Sequence, residues 1–177
     1  MHWSLLFTII AFVIYLVYNT IVIKKFGVPK SLSMTHYLWK GVNDKLFFAF
    51  PLMMFLMAGM LMPAWIEMSA GSPFQFLSFL AAAAIIFVGA APSFKRSDLE
   101  NSVHQWSAYL SAAFAILWII LVPNLWYIVA IVLALHVVVA VCTKTVKTSY
   151  IYWLESVAFF STFISIVFYY FEHFYGV

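Results

Sequence analysis

The chain has 177 residues, of which 66% are hydrophobic, 20% aromatic and 8% charged, with a formal net charge of +3 at pH 7. Soluble domains carry about 25% charged residues, so a water-soluble globule is excluded. Six membrane spans of roughly 20 apolar residues each consume most of these residues and leave no room among them for an ATPase, kinase or nucleic-acid-binding module.

The first predicted span covers about residues 3–23 and stops at Lys24-Lys25. No basic n-region precedes it, so no cleavable signal peptide is expected. The loop that follows carries a short amphipathic stretch, about 33–44, with Ser33 as its expected N-cap. It reads either as a lid or docking element or as a helix resting among lipid headgroups. The second span, about 46–65, contains Pro51 and five methionines, Met53, Met54, Met57, Met60 and Met62. Methionine suits an adaptable apolar ligand surface, but lipid-facing packing is the simpler expectation here. The third span, about 74–91, holds the run Ala81 to Ala84 and then Gly89, a pattern of close helix–helix packing. The fourth, about 102–122, is expected to be capped by Ser97 or Asp98 and ends at Pro123-Asn124, a tight hairpin turn. The fifth covers about 125–142, and the sixth about 150–171.

All nine basic residues fall at Lys24 to Lys45, Lys95-Arg96 and Lys144 to Lys147. Lys and Arg in short loops stay in the cytoplasm. Six spans put every basic loop on one side, whereas five or seven would split them. The expected fold class is therefore an all-α membrane protein, a six-transmembrane-helix bundle in residues 1–177 with both termini on the non-cytoplasmic side. A multi-pass protein of a bacterial inner membrane fits this pattern. Its expected partners are membrane lipids and, at this size, further copies of itself. Nucleic acid is not among them, because the basic residues flank spans. Cys142 is the only cysteine, so no intramolecular disulfide forms.

Polar groups inside spans cost free energy unless paired or hydrated, which makes them the natural candidates for chemistry. At 1.5 Å per residue, Asn19, His136 and Glu155 lie roughly 7 to 10 Å inside the cytoplasmic boundary and His104 about 5 Å. The four come from four different spans yet share one layer. Helical spacing assigns each a face. Thr8, Ala11, Tyr15, Tyr18 and Asn19 form one stripe; His104, Ser107, Ala108, Ser111, Ala112 and Ala115 form another. Glu155, Ala158, Thr162, Ser165 and Tyr169 form a third. Lipid offers hydroxyls no partners, so these faces are expected to turn inward, with the first, fourth, fifth and sixth spans lining the interior. Asn19, His104, Ser107, His136 and Glu155 are the candidate ligand- or proton-binding residues.

A carboxylate deep in the membrane costs about 2.5 to 3.5 kcal/mol. Either an imidazolium from His136 or His104 offsets this, or Glu155 is protonated. The group reads as a proton relay, a cation site, a metal site of His104, His136 and Glu155, or a structural Glu155–His136 hydrogen bond. Two histidines and a carboxylate are compatible with zinc, but no single helix carries a metal-ligand spacing. His2, Glu67, Glu172 and His173 sit at the outer ends and read as solvated interface residues. Gly-x-Ser-x-Gly, His-Glu-x-x-His and the P-loop are absent, so no catalytic residue is assigned and no cofactor is expected.

The stretch Gly27-Val28-Pro29-Lys30-Ser31-Leu32-Ser33-Met34-Thr35, together with Gly89-Ala90-Ala91-Pro92-Ser93-Phe94-Lys95 and Val103-His104, resembles small multi-span membrane proteins of gut bacteria and their mobile elements. That resemblance implies no activity. The use of intramembrane His and Ser is similar to the seven-span hydrolase superfamily that includes alkaline ceramidases, but this chain has six expected spans and no intramembrane Asp. The function expected from the residues is a small transporter or channel-like protein whose inner-leaflet polar site takes a proton, a cation or a polar lipid headgroup. An intramembrane lipid-modifying enzyme and an accessory or scaffold protein are the alternatives.

Overall fold

A computed structural model describes residues 3–176, which form seven α-helices and no strand. They are α1 (Trp3–Phe26), α2 (Thr35–Val42), α3 (Ala49–Met68), α4 (Phe76–Ala90), α5 (Asp98–Leu121), α6 (Trp126–Cys142) and α7 (Tyr150–Tyr175). Four segments, Trp3–Phe26, Asp44–Met68, Asp98–Leu121 and Tyr150–Phe174, are long and apolar enough to cross a membrane. The chain is a helical membrane protein by that measure. α4 and α6 are apolar but have only 15 and 17 residues, roughly 22 to 26 Å of helix against a hydrocarbon core of about 30 Å.

Local sequence explains most helix ends. Ser97 caps α5, its hydroxyl accepting from Glu100 N at 3.2 Å. Pro51 falls in the first turn of α3, where its missing N–H is tolerated. Gly27 closes α1 in a left-handed conformation (φ 75°), with its N–H bonded to Ile23 O at 2.9 Å. Asn124, also left-handed at φ 55°, turns the chain between α5 and α6, and Leu125 N reaches back to Ile119 O. Ser33 does not cap α2. The preceding residue pattern places Met34 at that position, and Ser31 Oγ accepts from Met34 N instead.

Neighbouring helices close a ring: α1 packs on α3, α3 on α4, α4 on α5, α5 on α7, and α7 on α1. α6 lies outside it, mainly against α7 with a smaller contact to α5. This corrects the expectation that the first, fourth, fifth and sixth spans line the interior. α3 and α4 belong to the ring and α6 does not. The methionines are corrected with it, since Met53, Met54 and Met57 are buried rather than lipid-facing. Met54 packs where Gly89 of α4 leaves room for it. The three small-residue stripes do turn inward. Thr8, Ala11, Tyr15, Asn19, His104, Ala158, Thr162 and Ser165 are all buried.

The basic segments meet at one end of the bundle. Lys95 N donates to Tyr37 OH at 2.8 Å and the Lys95 ammonium sits over the Tyr37 ring. Ser149 Oγ, at the start of α7, donates to Val28 O. At the opposite end, Glu67 of α3 accepts hydrogen bonds from Ser4 of α1 and Tyr170 of α7. Glu67 is thus a tie between helices rather than a purely solvated group, and His2 lies outside the described residues.

A Cβ on Gly89 would stand 3.0 Å from Met54 Cβ, whereas one on Gly59 would meet nothing within 4 Å. Gly89→Ala is therefore expected to push α4 off α3 and lower stability by about 1–3 kcal/mol. Gly59→Ala should be neutral or stabilising by about 0.5–1 kcal/mol. Reversible denaturation of both variants in detergent checks the contrast.

Candidate functional site

The members of the sequence-predicted layer face different ways. Asn19 lies between α1 and α7, its Nδ2 donating to Tyr15 O at 2.9 Å and its Oδ1 accepting from Tyr152 OH at 3.1 Å. Beside it Tyr15 OH donates to Ser156 Oγ at 3.2 Å. These bonds join the two helices and satisfy one another, so Asn19 is a structural tie. His136 faces α7 from outside the ring. Its Nδ1–H donates to its own helix at Val132 O (2.8 Å), and its ring meets Trp153 and Phe160 edge-on. His104 is buried against α4, stacked on Phe94 with centroids 4.6 Å apart. Neither of its ring nitrogens makes a hydrogen bond, although the Val88 and Ala91 carbonyls lie nearby. Ser107, one turn along, is also buried.

Glu155 is the member that opens onto space. It is half-buried and helps line a cavity inside the ring. Its Oε2 accepts from the backbone N–H of Leu32 at 2.7 Å. That bond, rather than one to His136, satisfies the carboxyl. Among the described residues no three His, Cys, Asp or Glu side chains group closely enough to hold a metal ion. His104, His136 and Glu155 are thus not assembled as a metal centre.

The cavity offers about 40 Å³ to the centres of water-sized spheres, room for two or three molecules the size of water. Its wall follows the small stripe of α5, with Ala108, Ser111, Ala112 and Ala115 facing Glu155, Ala158 and Thr162 of α7. Small side chains at this seam leave the gap. Met54 and Trp65 of α3 and Val88 of α4 complete the wall. Ser111 Oγ donates to Ala108 O and Thr162 Oγ1 to Ala158 O, at 2.9 and 2.8 Å. Their protons are thereby used within the helices, and their oxygens remain as acceptors. With the Glu155 carboxylate they set a few acceptors into an otherwise apolar wall, and those acceptors suit a proton, water or a small cation.

Leu32 closes the end of the cavity near the basic segments and is 1% exposed. The 27–34 segment is fastened on several sides. Tyr152 N donates to Lys30 O at 3.2 Å, Ser31 Oγ pairs with Ser33 Oγ, and Thr35 Oγ1 donates to Leu32 O at 2.6 Å. Tyr18 of α1 reaches Thr35 Oγ1. The sequence marks 33–44 as a lid or docking element or a helix among headgroups, but the residue that enters the bundle is Leu32, just before that helix. Its only sequence signal is an apolar residue between serines in a basic loop. Comparison with known proteins finds no matching family model, no matching curated protein and no matching solved structure.

His36, on α2 outside the long apolar segments, is buried and donates from Nδ1 to Phe47 O at 2.8 Å. Desolvation, seconded by Lys40, pulls its pKa below the usual 6.5. A depressed histidine favours the neutral form in the fold, so its contribution to stability is complete above pH 6.5 and is lost as pH falls towards the folded value. Hydrogen exchange over residues 35–47, corrected for intrinsic rate, should quicken between about pH 7.5 and about pH 5.5. His36→Asn keeps a donor for Phe47 without titrating, and should abolish that pH dependence.

Proposed function

We propose that this chain is a small membrane transporter or channel-like protein whose site is the Glu155 cavity. The observation that carries the reading is a carboxylate at the edge of a largely apolar cavity between the helices, held by the backbone N–H of the Leu32 plug. A backbone donor binds an ionised carboxylate about twice as strongly as a neutral acceptor. A proton or cation arriving at Glu155 therefore weakens the hold on Leu32, coupling occupancy to opening. The cavity's small volume favours a proton or small cation over a lipid headgroup.

In this reading all six apolar helices cross a bacterial inner membrane. α4 and α6 do so with the help of flanking residues, and local thinning accommodates their shorter length. The basic end faces the cytoplasm, and both chain ends face the other side. The hydrogen bonds at Asn19, Tyr15 and Glu67 support a scaffolding role for those groups. Glu155 is set apart from them by its cavity.

Purified protein in proteoliposomes is expected to carry a pH-dependent cation or proton flux. Glu155→Gln should lower it by about tenfold or more, while Leu32→Gly, which removes the plug side chain, should raise the basal leak. Flux that is the same in wild type and Glu155→Gln would sink the proposal.

A further inference from the structure

A second binding feature lies on the outside of the bundle, where α6 crosses α7. A groove of about 210 Å³ runs between them, its walls almost wholly apolar apart from His136, Tyr150 and Trp153. Along α6 it extends from Leu133 to Val141, about 12 Å of helix. Val137, Val141 and Leu154 on its rim are more than half exposed, at 52%, 59% and 57%. At the basic end it finishes at Val146, which itself lines the groove.

Val146 stands between Lys144 and Lys147, both exposed. Their loop is held in place. Thr145 N donates to Ala140 O, Ser149 N to Thr145 O, and Trp153 Nε1 to Thr145 Oγ1, each at 2.9 Å. The start of α7 is fastened further by Lys30 O, which accepts from Tyr152 N. Residues 101–154 contain no Asp or Glu, and Glu155 faces the internal cavity instead.

From this we infer that the α6–α7 groove is a binding site for an anionic phospholipid, with one acyl chain along the groove and the phosphate beside Lys144 and Lys147. The charge complementarity selects the occupant. A neutral lipid fits the apolar wall equally well but leaves the Lys144 and Lys147 ammoniums unanswered, whereas lysines at a membrane surface attract an anionic headgroup. The inference rests only on the chain lying in a membrane, not on a transport role for Glu155. Loss of flux and loss of lipid are separate results.

The test is native mass spectrometry of the full chain purified from vesicles of equal dioleoylphosphatidylglycerol and dioleoylphosphatidylcholine. Wild type is expected to retain one phosphatidylglycerol with a preference of about tenfold or more. Lys144→Ala/Lys147→Ala should bring that preference close to parity, and Val137→Trp, which fills the groove, should release both lipids. Circular dichroism checks that each variant remains helical. Equal retention of the two lipids by wild type overturns the inference, as does undiminished preference in the lysine variant. So does displacement of the lipid by excess inorganic phosphate, which would assign the lysines to phosphate alone. A lipid-free dimer would give the groove to a second copy of the chain and overturn it too.

Discussion

Hydrocarbon offers a polar side chain no hydrogen-bond partner, which drives the hydroxyl, amide and carboxyl groups on these helices towards the interior of the bundle. That constraint decides which helix takes the centre. α7 carries polar groups on more than one side: Tyr152 and Ser156 towards α1, Glu155 and Thr162 towards the cavity, and Tyr170 towards Ser4 and Glu67. It can satisfy them only by being surrounded. Half of its most apolar window is buried, against 22% to 33% in the other three long helices. α6 has the opposite character. Its one ionisable side chain within the apolar run, His136, is satisfied by the helix's own Val132 carbonyl, and nothing obliges it to enter the ring.

The same constraint explains the plug. A carboxylate within the membrane costs about 2.5 to 3.5 kcal/mol, and a hydrogen bond to a charged group returns about 1.5 to 3 kcal/mol. One backbone N–H from Leu32 therefore offsets much of the cost of Glu155. Because that donor belongs to a loop rather than a helix, the compensation is also the fastening of the loop. Ser149 to Val28 and Tyr152 to Lys30 fix the approach, and Glu155 holds the tip.

Much of the fold was legible because helical period is a local property. The stripes through Asn19, His104 and Glu155 follow i, i+3, i+4 spacing and do turn inward, and Ala81 to Gly89 does mark a close contact. Spacing along the chain gives the height of a residue but not the direction of its helix relative to the others. That is why Asn19, His104, His136 and Glu155, placed at one level by counting along the chain, do not share a site. It is also why the burial of Met53, Met54 and Met57 is not legible, since it depends on which neighbours α3 meets, as where Gly89 of α4 makes room for Met54. The Leu32 contact spans 123 positions of sequence, and no local pattern in a serine-rich loop announces it.

The central claim is that the Glu155 carboxylate holds Leu32 in the mouth of the bundle. Site-resolved hydrogen exchange of the Leu32 amide, in wild type and in Glu155→Gln, tests it most directly. The account predicts a protected amide in wild type and clearly faster exchange in the variant, with the interior of α7 unchanged. An amide equally protected in both would contradict it.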